Sequence, residues 1–283
     1  MPGRPTEVVE RGTIRRVLVA LDPSPHGRAA LVEAIALAER EAAEIVGLFV
    51  EDEDLLRFAG LPFAREFGVC DPRGRPLGLP EMERRLRAQG IAMRTEMEHA
   101  AARRRISCRF QVTRGRVATE VVTAGEQADV IFVGRTSEEA RATRLGSTAR
   151  AVISRSRRTV FCVCHRPVSG RAVVAAYDGS EASGRALRTA ADLAGPGPDG
   201  VVILVAAGAD ADTLSRDALD VLGEIGKFAR LVRIDAPTFE ALLDTAARLD
   251  ARAVVIGEGA CGISPAGAES LADALDRPVV IVR

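Results

Sequence analysis

The residues best suited to chemistry in this chain are those that hold an anion. Gly146 and Ser147 open a stretch of helical composition, Thr148 to Ser154. The first amides of a helix lack partners within it, and its dipole is positive at that end, so such a turn favours a negatively charged group. Gly134, Arg135 and Ser137 stand upstream in the same loop, where Arg135, Arg141 and Arg144 are offset in part by Glu138 and Glu139. A β-carbon at Ser137 costs something if the backbone there needs φ > 0. A second polar turn, Asp22-Pro23-Ser24, follows the apolar run Arg16 to Leu21 and offers a carboxylate acceptor at a strand end. Two plainer readings stand beside these: Asp22 as a turn former or helix cap, and the glycine loop as a tight connection.

Other chemistries find little support. No Ser/His/Asp set or carboxylate pair assembles, so no catalytic residue is assigned. In Cys162-Val163-Cys164-His165, strand alternation puts both cysteines on one face and His165 on the other, which reads as core packing and not as a metal fragment. His26 reads as an exposed first-turn histidine. The only lysine, Lys227, lies outside any G-x-x-x-x-G-K-[ST] loop, which excludes Walker-type chemistry. Lys+Arg and Asp+Glu are both 39, so no global field draws the chain to nucleic acid or an acidic membrane. The arginine runs 103–105 and 155–158 fall near expected helix carboxyl ends, where cations offset the dipole. Apolar runs are too short to span a bilayer, residues 1–16 carry no apolar h-region, and five scattered cysteines suit a reducing compartment. The expected location is cytoplasmic.

The elements that must position these residues occur twice. Val17 to Leu21 leads into Asp22 and an alanine-rich helix; Ala172 to Tyr177 leads into Asp178, Gly179, Ser180 and another. Ala128 to Gly134 is matched by Ala251 to Gly257, and Thr159 to Cys164 by Pro278 to Val282. Continuous apolar strands alternating with helices predict parallel sheets covered on both faces, about five strands per unit. At 283 residues, 47% of them hydrophobic, the chain has apolar surface for two packed cores. The expected division is residues 1–166 and 171–283, joined by a linker over 167–171. Asp22 to Gly134 spans 112 residues against 79 from Asp178 to Gly257. The excess falls in an excursion over about 51–80 and a charged helix from about Glu81 to Arg105.

On these residues both halves resemble the universal stress protein domain, a doubly wound, five-stranded parallel α/β fold of the adenine nucleotide alpha-hydrolase-like type. The resemblance implies a tandem of two such sheets. It implies that Asp22 and Asp178 hold the position that sits by an adenine base, and that Val50 lines the adenine. Nucleotide-binding members carry G-x₂-G-x₉-G-[ST] after the fourth strand. Here Gly134 matches, Ser137 stands at the second glycine, and Gly146-Ser147 closes the motif one residue early. In the second half Gly257 is followed by Ala260 and by a loop three residues short that ends Gly267-Ala268, with Glu258 where phosphates would lie.

The resemblance therefore implies an adenine nucleotide, ATP or another, in the first half only, held by Asp22, Pro23, Ser24, Val50, Gly134, Arg135, Ser137, Gly146, Ser147 and Thr148. Mg²⁺ would accompany ATP, and any hydrolysis would be slow or incidental. The Ser-Gly-Gly loop of the related ATP pyrophosphatases is missing after the first strand. Family members pair through their last strands, which implies an intrachain pseudo-dimer, with a homodimer of chains as a further level. The alternative is a ligand-free interaction module of the same fold. The excursion holds Leu55, Leu56, Phe58, Phe63 and Phe67; it could serve as a lid, a partner surface or a cover for its own sheet.

Overall fold

The computed structural model describes residues 14–68, 71–136, 144–165, 170–195, 200–235 and 238–283. In chain order the elements are β1 (Arg16–Ala20), α1 (Pro25–Glu41), β2 (Glu44–Asp52), α2 (Glu53–Ala59), β3 (Arg65–Gly68), β4 (Asp71–Pro76), α3 (Leu79–Arg104), β5 (Cys108–Gly115), α4 (Val117–Gly125), β6 (Val130–Gly134), α5 (Ser147–Arg155) and β7 (Thr159–Val163). They continue with β8 (Val173–Tyr177), α6 (Glu181–Ala194), β9 (Val201–Ala206), α7 (Ala211–Leu222), β10 (Arg230–Ile234), α8 (Phe239–Arg248), β11 (Ala253–Gly257), α9 (Pro265–Ala274) and β12 (Val279–Val282).

Ten strands form one sheet in the order β10-β9-β8-β11-β12-β7-β6-β1-β2-β5. Pairing is parallel except at the centre, where β12 meets β7 antiparallel with Val279 opposite Cys162, Val280 opposite Phe161 and Ile281 opposite Val160. These strands are short, apolar and free of charge, so each would leave an open, adhesive edge without the other. The five-strand topology thus occurs twice, but the sheets are continuous and not separate.

Period-two alternation divides the core by face, not by half. Val17, Val19, Phe161, Val173, Val255 and Val280 pack beneath α1, α3, α6 and α7; Leu18, Ile131, Cys162, Val254 and Ile281 pack beneath α4, α5, α8 and α9. The two large cores are thus layers that each cross the β7–β12 junction. Cys162 is fully enclosed, and burial pushes its thiol up to about 12, which fits a packing role.

The glycines ending β6 and β11 owe their identity to packing. A β-carbon on Gly134 would lie 2.9 Å from the Gly27 amide nitrogen and 2.9 Å from the His26 carbonyl carbon; one on Gly257 would lie 2.3 Å from the Ala182 carbonyl oxygen. Only glycine lets α1 and α6 start this close to the sheet. This explains why both halves keep the residue although their downstream loops differ.

The first half's excess is built of regular elements. Asp52 caps α2 by accepting from the Asp54 amide at 2.9 Å, β3 and β4 form an antiparallel hairpin, and α3 runs 26 residues. Leu56 and Ala59 pack against Met82 and Leu86 in a small separate cluster. Phe58 and Phe63 are 44% and 72% exposed, whereas Leu56 is buried. The Phe67 side chain lies outside the described set.

Candidate functional site

At the carboxyl ends of the first-half strands the chain runs from β1 to β2 on one side and returns through β6 on the other. This reversal opens a crevice at β1, where ligands bind in sheets of this kind. The crevice is a cavity of about 270 Å³ lined by Asp22, Pro23, Val50, Gly134, Arg135, Gly146, Ser147 and Thr148 among others. Eight of the ten residues marked in the sequence are therefore brought together. Ser137 lies outside the described residues.

Ser24 does not line the cavity. It is fully buried and caps α1: its hydroxyl accepts from the Gly27 amide at 2.9 Å and donates to the Thr136 carbonyl at 3.2 Å. Its task is to hold the start of α1 against the chain leaving β6. Asp22 accepts from the Ser24 amide at 2.7 Å, which shapes the same turn.

Arg135 reaches the cavity but sends its guanidinium elsewhere. Only 5% exposed, it donates to the Ala272 carbonyl at 3.2 Å and the Asp273 carbonyl at 2.6 Å, and pairs with Asp276 at 3.4 Å. These groups close the carboxyl end of α9, where a cation complements the helix dipole. The expectation that Arg135 faces an anion is thus corrected. Of the other loop arginines, Arg141 lies outside the described residues and Arg144 is exposed two positions before Gly146.

The Gly146 amide is not free, as it donates to the Arg135 carbonyl at 2.8 Å. Among the described residues, donors without a partner begin one residue later. Gly146 is the N-cap of α5 and has no side chain with which to cap it. The amides of Ser147, Thr148 and Ala149 precede the first intrahelical bond, Arg150 to Gly146 at 3.0 Å. All three residues border the cavity.

The corresponding turn of the second half is closed. Ser264 caps α9 by accepting from the Gly267 amide at 3.2 Å, and Pro265 at the first helical position has no amide hydrogen. Asp178 accepts from the Ser180 amide at 3.0 Å and, through its other oxygen, from the Cys261 amide at 2.6 Å. Burial raises the Asp178 pKa, but the hydrogen bonds from Ser180, Cys261 and Ser183 outweigh it and hold the carboxyl below its ordinary value. The short loop thus folds back on Asp178.

His26 is not an exposed first-turn residue. It is partly buried, and its Nδ1 accepts from the His165 amide at 3.0 Å. Burial, with the charges of Arg135 and His165, lowers its pKa.

Apart from Leu55, already noted in the excursion, several lining residues escaped the sequence reading. Leu55 of α2, Leu86 and Gln89 of α3, and Val117 and Val121 of α4 wall the β2 side with Leu48, Val50 and Asp52. Leu86 and Gln89 stand three apart, and Val117 and Val121 four apart, so each pair shares a helix face. The signal was that spacing, together with the acidic cap Asp52-Glu53-Asp54. The cavity consequently has an apolar end at β2, α2, α3 and α4, and an end rich in amide donors at β6 and α5.

No protein-family model and no curated protein matches the sequence. Solved structures do. A universal stress protein from Archaeoglobus fulgidus shares 19% identity, with 95% of this chain and 98% of that one covered at a TM-score of 0.66. A functionally unknown protein from Pseudomonas aeruginosa shares 15%, with coverage of 95% and 92% and a TM-score of 0.59. A putative universal stress protein from the same species shares 16%, with coverage of 95% and 93% and a TM-score of 0.57. At such identities the likeness is one of fold. Among the described residues no helix is long and apolar enough to cross a membrane. The chain has the universal stress protein fold, its five-strand topology occurring twice.

Proposed function

We propose that the chain is a regulatory protein that binds an adenine nucleotide, ATP or a close relative, in the cavity of residues 1–166, with residues 171–283 as its intrachain structural partner. One observation carries the reading: the same cavity joins an apolar wall suited to a base with the uncapped start of α5, suited to phosphate. The base rests by Val50 and Asp22, and the phosphates reach the amides of Ser147, Thr148 and Ala149. Among the described residues no three His, Cys, Asp or Glu side chains converge as a metal cage. Mg²⁺ therefore enters only as the counter-ion that ATP carries on its phosphates.

What the cavity offers is an apolar wall and backbone donors, which suits binding and not turnover. The free cysteines at 108, 162, 164 and 261 suit a reducing, cytoplasmic setting. Calorimetric titration with ATP tests the reading. It predicts one site per chain; no heat of binding, or two equivalent sites, would overturn it. A second reading, docking of a protein partner without ligand, is favoured by exposed Phe58, Leu61 and Phe63. It predicts that exchanging these three for serine abolishes partner capture, whereas an ATP-site variant leaves capture intact.

A further inference from the structure

The segment that carries the open helix start is fastened at both ends to the second half of the chain. On one side Arg135 inserts its guanidinium among the last carbonyls of α9, those of Ala272 and Asp273. On the other, the Leu145 amide donates to the Asp273 carboxylate. Arg150, one turn into α5, points back at Glu269 at 3.5 Å and Asp273 at 3.8 Å. The Arg135 carbonyl and the Gly146 amide then close the base of the loop at 2.8 Å. Asp273 is common to these links: it offers its backbone to Arg135, and its carboxylate to Leu145 and Arg150.

These contacts fix a direction. Leu145 is two residues before the first turn of α5, so the bond to Asp273 sets where the chain enters the helix and hence where the Ser147 and Thr148 amides point. A donor set aimed in advance binds an anion without a reorganisation cost. We propose that Asp273 is a positioning residue for the first-half site, so that ligand affinity and the contact between the halves are linked. The proposal rests on the anion-binding reading given above. By linkage, whatever ligand the α5 turn holds tightens the α5–α9 contact by the same factor that the contact tightens the ligand.

The experiment compares the full chain with Asp273→Ala and Asp273→Asn, using ATP with Mg²⁺ as probe and amide hydrogen exchange of the ligand-free proteins as a second readout. Asp273→Ala should weaken ATP about tenfold, a change of about 1.4 kcal/mol, and should speed exchange locally at Leu145, Gly146 and Arg150, the amides bonded in this segment. Asp273→Asn keeps an oxygen that accepts from the Leu145 amide, and should restore most of the affinity and the protection. Affinity within twofold of the parent in Asp273→Ala, equal losses in both variants, or a rise in exchange spread over the whole chain would each overturn the proposal. If the parent binds no ATP, the functional reading falls by itself. Exchange then decides the clamp: a local rise in Asp273→Ala upholds it, and unchanged exchange removes it.

Discussion

The closed turn of α9 can be written into α5 with two substitutions, Gly146→Ser and Ser147→Pro. Gly146 has φ −64° and ψ 155°, values close to the −71° and 166° of Ser264, so both new residues meet a backbone they accept. The introduced hydroxyl would accept from the Ala149 amide as Ser264 does from Gly267, and the proline removes the Ser147 donor. Serine in place of glycine at an N-cap adds a few tenths of a kcal/mol. Proline at a compatible position adds about 0.4–1 kcal/mol by restricting the unfolded chain. Together they should stabilise the protein by about 1 kcal/mol, raising Tm by roughly 2–4 °C.

Binding should move the opposite way. Two donors to phosphate are lost, each hydrogen bond to a charged group being worth about 1.5–3 kcal/mol. A loss of about 3 kcal/mol or more weakens ATP over a hundredfold. Thermal melts with and without ATP read both effects: the double variant should melt higher alone and gain nothing from the nucleotide. A variant that melts higher yet keeps its ATP shift would refute the placement of phosphate at α5.

Two further outcomes follow from the geometry. Gly134→Ala and Gly257→Ala should each destabilise by about 1–3 kcal/mol by overpacking a helix start, the second more because its carbonyl contact is closer; denaturant unfolding measures this, and a neutral Gly257→Ala would contradict the packing account. His26, whose pKa is lowered from 6.5 by burial and then by Arg135 and His165, against the opposing pull of Asp22 and Asp276, is held neutral in the fold. Its stabilising effect is full above pH 6.5 and is lost as the pH falls from there through the lower folded value, because the unfolded chain takes up the proton first. In His26→Asn, which cannot titrate but offers an oxygen to the His165 amide, stability should vary less as the pH falls below 6.5. An identical pH profile in the two proteins would rule this out.

The alternation of strands and helices, the repeat, and the meeting of Asp22 with Gly134 and Gly146 were legible because strand periodicity and turn residues are local signals. What side chains do across the fold was not. Arg135 reads in sequence as a loop cation beside a glycine, and only the approach of α9, 137 positions away at Ala272, claims it. Gly134 and Gly257 look like ligand-approach glycines, although their constraint comes from α1 and α6. Two local signals stood in the sequence and went unread: Ser264-Pro265, the cap and first residue of a helix that begins before Gly267, and Asp52-Glu53-Asp54, the start of α2. The first explains why the second half's turn is shut, and the second supplies the cavity wall that its counterpart lacks.

The central claim concerns which backbone amides meet the ligand, and an amide-resolved titration of the ¹⁵N-labelled chain with Mg²⁺–ATP addresses it directly. The account predicts saturable shifts at Ser147, Thr148 and Ala149, with Ala266 and Gly267 unmoved. Shifts centred on α9, or a silent α5 start at saturating nucleotide, would contradict it.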